Sequence, residues 1–179
     1  MVSPVIDLGD LLAARIAKIV PDAIGAARAA ELRERFTTAG YTRYALVDRG
    51  SYDELRDPSD LELFAALITI ASEVTERTLA LVEARVIRLG PGDYLLARHD
   101  QPRAPGHVEL MLDLSPAVVP GAAVHYRRDG NVTFAVPSQP CALSIVGRDP
   151  SVTCNHTYVS KLHASGSVVR LVILLAHRA

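Results

Sequence analysis

Six side chains in the second half of the chain have types and spacings that could do chemistry: His99, Asp100, His107, Glu109, His156 and Arg170. His107 and Glu109 stand two residues apart and share a face on a strand, so an imidazole and a carboxylate could join His156 in holding a divalent metal. Their other reading is as surface residues of a barrel strand. Arg170 lies inside Val168-Val169-Arg170-Leu171-Val172-Ile173, an otherwise apolar run. A buried lone guanidinium costs several kcal/mol unless an anion meets it, so Arg170 is an anion anchor on a central strand and a solvated residue on an edge strand. His125, His163 and His177 have no partner at a useful spacing and read as partly exposed. Cys141 and Cys154 lack the CxxC spacing of zinc or redox sites and read as two buried thiols. No GxSxG, GxxxxGK[ST] or GxGxxG pattern occurs.

These residues need a scaffold, and the composition allows one of ordinary kind. At 179 residues with 22% charged residues and a net charge of -1, the chain suits a single domain and gives no sign of a polyanion partner. Trp is absent and Phe occurs three times, so no aromatic platform for nucleobases is evident. Nucleic acid is therefore not expected. With no long uncharged apolar stretch and no basic, apolar leader at Met1–Asp10, the expectation is a cytoplasmic protein without membrane association.

Helical periodicity dominates the chain up to residue 83 and strand periodicity follows it. Asp7 to Val20 reads as a short helix, and Pro21-Asp22 opens a second that Gly40 stops. Tyr41 to Val47 alternates like a strand. Ser59-Asp60-Leu61-Glu62 resembles a capping box, and the stripe Leu63, Leu67, Ile70, Val74 and Leu81 predicts a long amphipathic helix behind it. Eight apolar runs then fall at 85–89, 93–98, 107–114, 122–127, 131–136, 141–147, 152–159 and 168–176, with Asp129-Gly130 as a two-residue hairpin turn. The predicted architecture is α+β and one domain, with residues 1–83 as mainly helical support and residues 84–179 as the β-barrel core.

From Leu89-Gly90-Pro91-Gly92-Asp93-Tyr94 to His99-Asp100 the sequence resembles the Fe(II)/2-oxoglutarate-dependent dioxygenases, especially the prolyl-4-hydroxylase-like group. In that family a glycine-aspartate turn leads into a histidine-any-aspartate motif. Val108 to Ser115, Pro120 to Tyr126 and Ala142 to Gly147 resemble its later strands. The resemblance covers about the last half of the chain and implies a double-stranded β-helix, or jelly-roll, barrel against which the N-terminal helices pack. It also implies Fe(II) held by His99, Asp100 and His156, and a 2-oxoglutarate cosubstrate anchored by Arg170.

The motif departs from the family at one point. His99 and Asp100 are adjacent, so a straight strand would send them to opposite faces, and an ungapped match puts Arg98 at the histidine position. Arg98 stays protonated and cannot ligate iron. A bulge that turns both residues inward, a His99-Asp100-Gln101 variant of the motif, and a decayed metal site all fit the sequence.

The resemblance implies an oxygenase that hydroxylates a small molecule, an amino acid or a peptide side chain. Two rival readings are a cupin-like metal enzyme using His107, Glu109 and His156, and a metal-free barrel that binds a ligand or a partner. The N-terminal helices offer either a lid or a homodimer surface.

Overall fold

The computed structural model describes residues 16–162 and 166–178. Its elements are β1 (Ala17–Val20), α1 (Ala26–Thr37), β2 (Thr42–Leu46), β3 (Gly50–Arg56), α2 (Leu61–Thr75), β4 (Leu79–Leu89) and β5 (Tyr94–Leu95). A single 3-10 turn over Ala97–His99 follows, then β6 (His107–Asp113), β7 (Ala123–Arg128), β8 (Asn131–Pro137), β9 (Leu143–Arg148), β10 (Val152–His156) and β11 (Val168–His177). Hydrogen-bonded neighbours run β1-β9-β6-β11-β4-β3-β5-β10-β7-β8, with β2 added to β3. Every pairing is antiparallel.

Alternation along the central strands separates two apolar bodies. Val86, Leu110, Leu112, Ile145, Leu171 and Ile173 point outward, where Ala29, Leu32 and Phe36 of α1 and Leu63, Phe64, Leu67 and Ala71 of α2 cover them. The intervening residues Ile87, Leu89, Met111, Val146, Val168 and Val172 point inward and meet Leu95, Val124, Tyr126, Val136, Val152 and Cys154 from the opposite strands. Because both ends of the strand order share this second cluster, the sheet curls into a nearly closed barrel of jelly-roll type. Each fully buried leucine or isoleucine contributes roughly 1.5–3 kcal/mol, so period-two patterning alone holds the two layers in register.

The local signals explain most boundaries. The Asp60 side chain accepts from the Leu63 amide at 2.9 Å, so the cap of α2 is Asp60 and not the Ser59 of the predicted capping box. Glu76 then leaves the helix in the left-handed region at φ 55. Leu81, predicted to continue the helical stripe, consequently belongs to β4. Asp129 and Gly130 take φ 51 and 78, the double positive φ of the predicted hairpin turn.

The N-terminal part differs from the expectation of helical support. Most of the predicted helix Asp7–Val20 lies outside the described residues, but its last part, Ala17–Val20, is strand β1. It pairs with β9 from Ala17↔Val146 to Val20↔Leu143. Pairing with the open side of a central strand satisfies backbone groups that a four-residue helical tail would leave exposed. Strand β3 also falls within the segment read as helical. Its sequence, Gly-Ser-Tyr-Asp-Glu-Leu-Arg, hides a buried face of Tyr52 and Glu54 beneath apparent polarity.

Candidate functional site in the barrel interior

The glycine-aspartate turn is a bracket. Asp93 accepts from the Gly90 amide at 2.9 Å, from the Ser51 hydroxyl at 2.7 Å and from both Arg43 terminal nitrogens at 2.7 and 2.6 Å. Burial pushes its carboxyl up, but these donors outweigh burial and hold it below the ordinary range. Gly92 takes φ +96, and a Cβ there would stand 2.8 Å from Lys161 Cε. The turn therefore pins the start of β5 against β2 and β3.

After two residues of β5 the chain winds into the Ala97–His99 turn instead of continuing as a strand to residue 98. The winding lets His99 and Asp100 border one cleft, yet each is committed to a different partner. His99 Nε2 meets the Tyr52 hydroxyl at 2.7 Å. Burial, with the charges of Arg85 and Arg49, holds the His99 imidazole below its ordinary pKa. Burial also pushes the Tyr52 phenol up to about 12, so this contact joins two neutral groups near pH 7. Asp100 accepts from the Cys154 amide at 2.8 Å and from the Arg148 guanidinium.

Arg148 is the centre of the interior. Its side chain is 0% exposed, and it donates to Glu109 Oε2 at 2.6 Å, to Asp100 Oδ2 and to the Val152 carbonyl at 3.1 Å. Glu109 receives a further bond from the Tyr126 hydroxyl at 2.8 Å, and the Tyr126 ring lies 5.7 Å from the guanidinium carbon. Glu109 on β6 and Arg148 on β9 both face inward, and the register His107↔Arg148 brings them within reach. Burial and the Glu109 charge push the Asp100 carboxyl up while Arg148 opposes them. Arg148 itself is held firmly protonated, because the attraction of Glu109 and Asp100 exceeds its desolvation.

His156 and Arg170 form a second buried pair, with Arg170 Nη1 3.0 Å from His156 Nδ1. A guanidinium only donates, so Nδ1 accepts and the ring proton sits on Nε2. Burial and the Arg170 charge hold His156 well below its usual pKa, and burial lowers that of Arg170. Arg170 Nη2 has no partner among the described residues. The hollow beside it, lined by Met111, Asp113 and Gln139 among others, measures about 10 Å³, room for about one water.

The principal cleft opens beside Asp100 with a volume of about 570 Å³ and is lined by Tyr44, Tyr52, Arg85, His99, Asp100, Cys154 and flanking charged residues. Four buried polar atoms of its lining residues, Arg85 Nε, His99 Nδ1, Asp100 Oδ1 and Arg103 Nε, have no hydrogen-bond partner among the described residues. Such a concentration is what a wall built to meet water or a polar ligand presents.

The sequence-derived ligand sets can now be placed. His99 and Asp100 reach the cleft, whereas His156 is turned to Arg170. Glu109, the carboxylate of the cupin-like set, is engaged by Arg148 and Tyr126. Among the described residues no three His, Cys, Asp or Glu side chains gather as a metal would require. The donors present thus do not fit Fe(II) in this arrangement: Asp100 Oδ1 is open, but His99 Nε2 is bonded to Tyr52 and His156 Nδ1 to Arg170, so the three do not converge. Nor does the hollow at Arg170 fit the five-carbon 2-oxoglutarate. Sequence reasoning did not single out Arg148, Tyr126, Tyr52 or Arg85. The signal for Arg148 was there, for it closes the apolar run Leu143–Gly147 as Arg170 interrupts its own.

No protein-family model matches the chain, and no curated protein sequence does. Solved structures do. An oxidoreductase of the 2OG-Fe(II) oxygenase family from Burkholderia pseudomallei matches with a TM-score of 0.67 at 12% identity, over 94% of this chain and 93% of that one. The viral collagen prolyl hydroxylase of Paramecium bursaria Chlorella virus-1, solved with 2OG, matches at 0.64 and 11%, over 89% and 96%. A prolyl-4-hydroxylase from Pseudomonas putida matches at 0.62 and 14%, over 94% and 100%. The chain therefore has the fold of the 2OG-Fe(II) oxygenases, as the resemblance from Gly92-Asp93 onward implied.

Proposed function

We propose that this barrel of the oxygenase fold is a metal-independent binder of a small molecule, in which the Arg148 guanidinium is the interior cation. The observation that carries the reading is the position of Arg148 between Asp100 and Glu109, with Asp100 on the wall of a 570 Å³ cleft. Arg148 takes only Asp100 Oδ2 and leaves Oδ1 open to the cleft side, but the distant imidazole that a metal would also need, His156, is bonded to Arg170 and fully buried. The cleft keeps its own polar wall, with Tyr52, His99 and Arg85 placed to hold a ligand. On this proposal the protein acts in the cytoplasm, without nucleic acid, as a monomer or homodimer; no described helix is long and apolar enough to cross a membrane.

A second reading is favoured by the fold of the structural neighbours: a non-haem Fe(II)/2-oxoglutarate-dependent oxygenase hydroxylating a small molecule, an amino acid or a peptide side chain. In it His99, Asp100 and His156 would hold the iron and Arg170 the cosubstrate. Anaerobic loading with Fe(II) or Mn(II), followed by metal analysis of the desalted protein, separates the two. We expect no stoichiometric metal and no 2-oxoglutarate-dependent succinate release. One equivalent of metal that disappears in both His99→Ala and Asp100→Ala would replace the first reading by the second.

A further inference from the structure

Around the cleft the acids near the guanidinium groups are taken, while two arginines at one end are not. Glu54 pairs with Arg56 at 2.8 Å and with Arg85 at 3.4 Å, Glu83 with Arg103 at 2.7 Å, and Asp100 with Arg148. Arg49 lines the same cleft, is exposed, and its guanidinium has no hydrogen bond or ion pair among the described residues. Arg98 is 60% exposed at the side chain; its Nε donates to the Asp48 carbonyl, and its Nη2 stands 3.8 Å from the exposed Asp48 carboxylate. At that separation in solvent the ion pair contributes little. The backbone brings the two arginines to one end, because the Leu96 amide donates to the Arg49 carbonyl at 2.8 Å.

An aromatic wall adjoins this end. The Tyr44 and Tyr52 rings stack with centroids 5.2 Å apart at 20°, and Tyr52 meets His99 edge-on at 5.4 Å. Tyr44 is half-buried, so part of its ring remains open to the cleft. The uncommitted acid of the lining, Asp57, lies beyond the far end of β3, roughly 26 Å along the strand at about 3.3 Å per residue. Charge in the cleft is therefore polarised along β3, with its cationic end beside the flat surface.

We propose that the cleft binds a small planar carboxylate, its anionic group between Arg49 and Arg98 and its plane against Tyr44. This rests on the ligand-binding reading above. Position 98, where an ungapped match puts the family's histidine, is then an anion receptor. Two guanidinium groups matched to a carboxylate give charge-assisted bonds that a neutral amide cannot replace.

Matched acid and amide probes test it: benzoate against benzamide and cinnamate against cinnamamide, by saturation-transfer NMR and calorimetry on the full chain. The acids should bind about tenfold or more tightly than their amides, a difference of about 1.4 kcal/mol. In the exposed-site double variant Arg49→Gln/Arg98→Gln the acids should fall to the level of the amides, with the melting temperature unchanged. Equal binding of acid and amide, or a preference that survives the double variant, overturns the inference and leaves the ligand-binding reading standing. If no member of either pair binds at millimolar concentration, both fall.

Discussion

Two arginines lie sealed in the same barrel, Arg148 at 0% and Arg170 at 1% exposure, and they are compensated in opposite ways. Arg148 has two carboxylates, a backbone carbonyl and an aromatic face, and remains a fixed cation. Arg170 leans on a single imidazole and keeps one terminal nitrogen unpartnered. The first arrangement is electrically closed. The second is open, with Asp113 acting on it only through space, and it constrains its neighbour: beside this guanidinium, burial keeps His156 neutral. The residue type alone thus says little about a buried charge. The decisive quantity is how many opposite charges the inward faces of adjacent strands deliver to it.

The comparison can be broken most sharply at Arg148. Arg148→Met strands Asp100 and Glu109 in the interior and should cost about 3–5 kcal/mol in urea unfolding followed by circular dichroism. Adding Asp100→Asn and Glu109→Gln should return most of that loss, since no unpaired charge is then left. A cost under about 1 kcal/mol for the single variant would mean that water reaches the cluster, and the contrast with Arg170 would vanish.

Arg170→Met takes a cation away from the buried Asp113, but that carboxylate keeps the Ser115 and Gln139 amides, so the cost should be less, about 1–2 kcal/mol by the same measurement, mostly for the lost hydrogen bond to His156. A larger loss than for Arg148→Met would invert the comparison. The most gradual effect is in pH. The folded-state pKa of His156 is depressed well below 6.5, so the unfolded chain binds the proton first on acidification. Stability that is fully present above pH 6.5 is therefore lost as pH falls through that value toward the folded one, at up to about 1.4 kcal/mol per pH unit for one group. His99 and His107 are shifted the same way and add to the slope. His156→Gln should flatten the decline below pH 6.5, read as urea midpoints across pH 5 to 7, and an unchanged slope would show that His156 is already protonated in the fold.

Much of the scaffold was legible along the chain. The runs at 107–114, 141–147 and 168–176 correspond to β6, β9 and β11, because strands buried on both faces must be apolar almost throughout, and the run at 131–136 corresponds to the mostly exposed edge strand β8. The run at 168–176 left Arg170 open between an anion anchor and a solvated edge residue, and its place on β11 between β6 and β4 buries it. The site was less legible. His99 and Asp100 could be told apart from a regular histidine-any-aspartate motif, but a spacing says nothing about a helical turn that aims one at Tyr52 and the other at Arg148. Tyr52 was hidden because β3 carries its buried face among charged residues.

What the amino-acid sequence determined by itself is the alternation that separates an inward from an outward face, the hairpin at Asp129-Gly130 and the inability of Arg98 to ligate a metal. These follow from local stereochemistry and from proton affinities that no fold reverses. Which carboxylate meets which cation was left to the tertiary structure. Asp100, Glu109 and Arg148 come from three separate segments, and only the register of β6 with β9 and the turn after β5 bring them to one point, where desolvation makes their pairing obligatory.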